Sequence, residues 1–314
     1  MPRLQVILFF ALATLSVQAF GQSTNQARPG TLNYIEGNVS IGARPLSAHS
    51  VGKSELQPGQ TLTTTDGKAE ILLTPGVFVR IGDDSALKMI SPNLTHTEIE
   101  LDRGQASVEV DELYKQNNLL IAQNGIQTQL LKTGLYEFNA NNNTVRVFNG
   151  KAAVLSSSNP SNSEQAILVK GGHQLALTGD AVKPQDFDKN EAKDDLYNWS
   201  SLRSQYLGEA NLDLASAYAG APGFYPGWFW NTGLYGYTWL PADGFLWSPF
   251  GFGFYSPYYI YGGGFIYGRG RYGRGGYAAG YSRVSAVRGH AVGAFSGRGG
   301  FSGGGSHGGG GGHR

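Results

Sequence analysis

The sequence predicts an all-β domain of short strands, arranged as a sandwich or a short β-solenoid. One α-helix, an aromatic-rich segment and a disordered, glycine-rich tail follow it. Three observations carry this prediction. Between Thr61 and Val110, short alternating apolar runs are separated by Asp-Gly, Pro-Gly, Gly-Asp-Asp and Asp-Arg-Gly turn clusters, the pattern of successive short strands. From Trp199 to Leu214 the apolar spacing changes to three or four, that of one helix face. From Gly268 onward glycine dominates, and so dense a glycine content cannot offset its ordering entropy.

The first element is not part of the fold. Met1-Pro2-Arg3 precedes an apolar run from Leu4 to Val17, and Ala19-Phe20-Gly21 is a small-x-small site with cleavage expected after Gly21. A basic start, a short apolar stretch and a small-residue cleavage position predict a secretory signal peptide over residues 1–21. The run falls short of the roughly 20 apolar residues that a membrane-spanning helix needs. The chain has no cysteine, which excludes disulfides, thiolate metal sites and cysteine nucleophiles. An exported domain without disulfides has to be held by its own core.

The β domain is expected over residues 30–182. Tyr34 to Ile41 reads as a first strand, and Leu56-Gln-Pro58-Gly59 as a turn into the next. Ala69, Ile71 and Leu73 share one strand face, as do Val77, Val79 and Ile81, because successive side chains alternate. Glu98, Glu100 and Asp102 alternate with Ile99 and Leu101, which predicts carboxylates toward water. Ser107, Glu109 and Asp111 do the same against Ala106, Val108 and Val110. Further strands surround Ile126, Tyr136 and Val145, and Asn149-Gly150 reads as a two-residue hairpin turn. Ile167, Val169, Leu175 and Leu177 close the domain.

A helical connector is expected over 183–220. Asp188-Lys-Asn-Glu191 reads as its capping box, and Trp199, Leu202, Tyr206, Ala210 and Leu214 as its buried stripe. Gly220-Ala-Pro-Gly223 ends it. The aromatic segment, 221–267, contains Trp228, Trp230, Trp239 and Trp247 with interleaved Phe, Tyr, Pro and Gly, in two blocks that look like a loose repeat of hairpins. Rings bury much apolar area at low rotamer cost. The segment therefore completes a core, forms a contact surface for glycan, wall polymer or protein, or lodges at a membrane interface.

The tail, 268–314, holds Arg269, Arg271, Arg274, Arg283, Arg288, Arg298 and Arg314 and no acidic residue. Its Arg-Gly-Gly character resembles RNA-binding segments, but an exported protein does not meet cytoplasmic RNA. Anionic surface polymers or lipid headgroups suit the same charges, so a peripheral membrane-surface contact is the expectation and DNA is not a partner. Catalytic constellations are missing from the sequence. Gly268-Arg-Gly270-Arg-Tyr-Gly273 matches a dinucleotide fingerprint but opens no helix. Asp186, Asp188 and Asn190 begin a calcium-loop spacing that Glu191 and Tyr197 then break. The six histidines show no metal-ligand spacing within a folded segment, and Asp83-Asp84 reads as a turn. No enzyme, cofactor or metal is expected.

One set of motifs goes further. Gly37-Asn-Val39, Leu56-x-x-Gly59-Gln-x-Leu62-x-Thr64, Gly67-x-Ala69-x-Ile71 and Gly104-x-Ala106-x-Val108 occur in that order. Lys132-Thr-Gly134-x-Tyr136-x-Phe138, Val145-x-Val147-x-x-Gly150 and Gly172-x-Gln174-Leu175 continue it. Together they resemble a FecR domain over roughly Gly30 to Leu177. The resemblance implies an exported all-β module of bacterial type, in its best-known setting the periplasmic half of an anti-sigma regulator that receives an iron-uptake signal. Such regulators carry a cytoplasmic helical segment and a membrane span ahead of the domain. Here a signal peptide is read instead, which implies a stand-alone secreted form.

The functional expectation is a non-enzymatic binding or scaffold module of the bacterial envelope, in the periplasm or at the cell surface. Its partner would be an envelope protein or polysaccharide, met through Trp228, Trp230, Trp239, Trp247, Tyr258 and Tyr259. The alternatives are a periplasmic signalling component that meets a membrane regulator by strand addition, an RNA-binding protein and a polysaccharide-active enzyme.

Overall fold

A computed structural model describes residues 27–155, 166–177 and 183–262. The expected signal peptide (1–21), the last residues of the aromatic segment (263–267) and the arginine-bearing tail (268–314) lie outside the described residues.

The alternating runs form strands as the pattern predicts. β1 (Leu32–Ile41) bends through the two-residue β2 (Arg44–Pro45). β3 (Thr61–Leu72), β4 (Val77–Ile81), β5 (Ala86–Asn93), β6 (His96–Arg103) and β7 (Gln105–Val110) follow. β8 (Leu119–Gln123), β9 (Ile126–Leu130), β10 (Gly134–Asn139), β11 (Thr144–Asn149) and β12 (Lys151–Leu155) continue the chain. β13 (Ile167–Lys170), β14 (His173–Ala176) and β15 (Gln185–Asp186) complete the set. All belong to one 15-stranded sheet, whose main path runs β13-β12-β9-β8-β6-β5-β3-β4-β7-β10-β11-β14-β15. Among the described residues every pairing in it is antiparallel except β6 with β8.

Both arms of that path feed one core. Leu130 and Ile121 on one arm meet the same cluster as Val108, Phe138 and Val145 on the other. The sheet therefore curls over on itself and encloses its apolar face, which is a sandwich-like arrangement rather than a stack of parallel coils. Ala69, Ile71, Val77, Val79, Ile81, Ala106, Val108 and Val110 all point into this core.

Asn149-Gly150 is not a hairpin. β11 pairs with β10 and β14, whereas β12 pairs with β9 and β13. Gly150, at φ +103°, instead turns the chain from one arm to the other. A Cβ there would lie 2.3 Å from the Tyr136 hydroxyl oxygen. The glycine is required by a close approach at a corner, not by turn type.

α1 (Asp195–Ala217) begins one turn later than the predicted capping box. Its N-cap is Asp194, whose carboxylate accepts from the Tyr197 N–H at 2.9 Å. Asp188 accepts from Asn190 and Glu191 in the turn ahead of the helix. The predicted apolar stripe is only partly the buried one: Ala210 is buried and Trp199 and Leu214 half-buried, but Leu202 and Tyr206 are each 46% exposed. The buried face is Leu196, Ser200, Arg203, Ser204, Leu207, Gly208, Ala210, Asn211 and Ala215. Four of these nine, Ser200, Arg203, Ser204 and Asn211, are polar, because part of the surface beneath the helix is charged.

Two aromatic hairpins follow. β16 (Gly227–Asn231) pairs with β17 (Gly236–Leu240), and β18 (Phe245–Trp247) with β19 (Gly253–Tyr255). α2 (Pro257–Tyr261) ends the described chain. The first hairpin packs with α1 over the outer face of β3 and β4, where Leu72 and Phe78 join Leu207, Trp228, Tyr237, Trp239 and Phe254 in a second core.

Candidate functional site

Alternation sends Glu70 and Arg80 out of the main core on the strand face opposite Ile71 and Val79. It does the same for Glu109 and Asp111 on β7 and the residue after it. The same rule predicts Ser107, Glu109 and Asp111 toward water, but all three are buried, because α1 and the first hairpin lie across this face. A covered charge must be paired or neutralised.

Pairing is extensive but incomplete: Arg80 Nη2, Arg203 Nε and the Ser107 hydroxyl have no hydrogen-bond partner. Arg80 Nε donates to Glu70 at 2.7 Å, and its Nη1 to Glu109 at 2.5 Å. From the cover, Arg203 Nη2 donates to the other Glu70 oxygen at 2.9 Å, and the Ser204 hydroxyl to Glu109 at 2.6 Å. The Arg203 guanidinium also lies 4.0 Å from the centre of the Tyr34 ring. Asn33 on β1 donates to Glu70 at 2.8 Å and clamps Tyr237 of β17 through both its amide N–H and its carbonyl. Asn211 repeats the device, donating to the Trp239 and Tyr255 carbonyls and accepting from the Tyr255 N–H.

Titration follows from this geometry. Burial alone would raise Glu70, but the Arg203 and Arg80 guanidiniums overcome it and hold the carboxyl down at about 2. Burial raises Glu109 despite Arg80 and Ser204. Burial, reinforced by the charge of the neighbouring Glu109 carboxylate and a hydrogen bond to it, pushes Asp111 well above the usual carboxylate range. Both shifts favour the neutral carboxyl, in contrast to Glu70. A further buried carboxyl, Glu137, is raised to about 8 by burial and by Asp194, against Arg146. The cavity beside it, of about 10 Å³, has room for no more than one water.

The structure separates the six predicted contact residues. Trp228, 7% exposed, meets Phe78 edge-on at 5.1 Å, and Trp239 is fully buried beside Phe254. They are core, a correction with a simple cause: they face each other across the β16–β17 ladder over Phe78. Trp230 is half-buried, with its ring against Gly52, where a Cβ would meet it at 2.5 Å. Trp247 and Tyr258 are 62% and 52% exposed, and Tyr259 is half-buried. Trp247 sits edge-on to Phe245 at 5.1 Å; Phe245 in turn stacks on Tyr255 at 5.5 Å and leans on Tyr259 at 5.6 Å. Reading the sequence alone missed the charged seat and could not divide the rings.

Residues 60–153 match the family model described as FecR protein. That stretch is a FecR domain. Two crystal structures of a candidate anti-sigma factor from Parabacteroides distasonis, at 2.50 and 1.65 Å resolution, are also similar in part. Each is 13% identical with a TM-score of 0.35, and the likeness covers 42% of this chain and 62% of theirs. No curated protein matches the chain.

The FecR match runs from the end of the β2–β3 connection to β12. It contributes Glu70, Arg80, Glu109 and Asp111 to the seat, whereas Asn33, Arg203 and Ser204 come from outside it. Standing alone, the FecR domain would present three acidic side chains to one guanidinium on this face. The helix completes it.

Proposed function

We propose that the protein is a non-enzymatic contact module of the bacterial envelope: a FecR domain that carries its own helix-and-aromatic cover and engages a surface polymer or protein through Trp247, Tyr258 and the rings beside them. The single observation behind this reading is that large aromatic side chains, Trp247 and Tyr258 among them, stand exposed on a segment anchored to a buried polar network. Anchoring fixes ring positions before binding, which lowers the ordering cost of a contact. The buried charges, by contrast, are engaged with one another and hold the cover down. Retention of the full chain on an isolated envelope fraction is expected, with a Trp247→Ala/Tyr258→Ala double variant retained several-fold less. Equal retention of the two would refute the reading. Truncation after Ala219 is unsuitable for this purpose, since it removes the hairpin that buries Phe78.

The FecR match favours a second reading, a part in envelope signalling. Under it, deletion of the gene shifts transcription of envelope functions, and an unchanged transcriptome would count against it.

A further inference from the structure

The exposed rings lie in a stretch without charge. From Gly244 to Gly262 the chain has no Asp, Glu, Lys, Arg or His, yet it contains Phe245, Trp247, Tyr255, Tyr258, Tyr259 and Tyr261. Across the short ladder Trp247 faces Gly253, over which the Tyr255 ring lies, and the indole itself is 62% exposed.

The backbone beneath the rings is tied down at several points. Ser248 N–H donates to the Phe252 carbonyl at 2.8 Å, and its hydroxyl oxygen accepts from the N–H groups of Phe250 and Phe252 at 3.2 Å. Ser256 N–H donates to Gly244 at 3.0 Å, and the Ser256 hydroxyl caps α2. Asn211 holds Tyr255 from the helix side. The backbone that carries the rings is thus held by hydrogen bonds within the chain.

This chemistry narrows the partner. Phosphate-bearing ligands, whether lipid headgroups or nucleic acid, are held by cations, and the stretch has none. A protein hot spot seats its anchors in a desolvated pocket, whereas here linked rings run from Trp247 through Phe245 to Tyr255 and Tyr259. A sugar ring has a face of C–H bonds and a rim of hydroxyls. The C–H face suits the negative face of an aromatic ring, and the rim suits phenolic hydroxyls. Successive uncharged rings match successive uncharged units of a polymer.

We infer that the Trp247–Phe245–Tyr259 row, with Tyr258 at its side, is a binding site for neutral polysaccharide. This rests on the contact-module reading and names its ligand class. Full-length protein is run through native gels containing dextran, mannan, a soluble β-1,3-glucan or hydroxyethylcellulose, with alginate and heparin as charged comparators. Retardation by at least one neutral polymer is expected, weakened about tenfold by Trp247→Ala, the scale of one lost ring contact. Tyr206→Ala, on an exposed position of α1, is expected to leave retardation unchanged, and thermal melts establish that each variant is folded.

A parallel arm uses the envelope fraction after periodate oxidation or protease digestion. Loss of Trp247-dependent retention on periodate treatment supports the assignment. If that retention survives periodate and disappears with protease, the partner is a protein and the glycan assignment falls while the contact module stands. If only the charged polymers retard the chain, equally for wild type and Trp247→Ala, the assignment falls. If no polymer retards the chain and the envelope retains wild type and variant alike, both fall.

Discussion

The two aromatic hairpins have similar composition and opposite fates. In Gly227–Leu240, Trp228, Phe229, Tyr237, Trp239 and Leu240 are all buried. The hairpin is covered on both faces, by Phe78 and Leu72 on one side and by Ala215 and Phe224 on the other. In Phe245–Tyr255 only Phe254 of the strand aromatics is buried, and Trp247 is open to solvent. Ring content does not decide between core and contact surface; what lies beneath does. The first hairpin covers a sheet face along its length, whereas the second reaches that face only through Phe254 and otherwise lies against α1 and its own neighbours.

The most severe way to break this difference is to remove the charges that seat the cover. Arg80→Met leaves Glu70 with Arg203 and strips Glu109 of its guanidinium, inside a face that stays buried. Breaking a buried ion network by removing one member costs about 3–5 kcal/mol. A fall of that size in urea unfolding free energy is expected, with loss of near-UV signal from the packed tryptophans. Trp239→Ala comes next. The side chain is fully buried between Phe254 and Asn211's hydrogen bond to its carbonyl, and truncations of this kind cost about 3–5 kcal/mol.

Titration sharpens the same picture with opposite signs at two carboxyls. Glu70 is lowered to about 2 from 4.5, so its contribution is present above pH 4.5 and is lost as the pH falls toward 2. The shift corresponds to about 3 kcal/mol, and Glu70→Gln is expected to flatten the acid limb of a stability–pH curve while lowering the plateau. Asp111 is raised, so folding favours its protonated form and stability declines as the pH rises through the ordinary carboxylate range. Asp111→Asn is therefore expected to raise the melting temperature, more at pH 8 than at pH 5. A melting temperature lower at both pH values would mean that the Asp111 carboxylate has a cation partner.

Much of this was legible before any coordinates. The period-two runs at Ala69–Leu73, Val77–Ile81 and Ala106–Val110 place the inner face correctly, because the enclosed core needs only one rule. The outer face was not legible, since alternation alone cannot say what lies on the other side of a strand. A signal was present nonetheless. Ile71-Leu72-Leu73 and Val77-Phe78-Val79 are continuous apolar runs, the pattern of strands buried on both faces, and Glu70 and Arg80 flank them. Helix α1 misled for a related reason: its buried face had to match charges, so Ser200, Arg203, Ser204 and Asn211 went inward while Leu202 and Tyr206 stayed out. Asn149-Gly150 misled because a local turn preference cannot reveal that the next strand joins the other arm.

The smallest expected effect on stability is also the one that separates the hairpins most cleanly. Trp247 meets one ring, Phe245, and is 62% exposed. Its replacement by alanine uncovers little core and leaves no buried polar group unpaired. Surface substitutions of this kind shift stability by no more than about 0.5 kcal/mol. Trp239→Ala and Trp247→Ala are the same chemical change in adjoining hairpins, so their difference in unfolding free energy measures what the sheet beneath the first one contributes. A loss at Trp247 approaching that at Trp239 would mean that the second hairpin is also core, and the contact surface would then have to lie elsewhere.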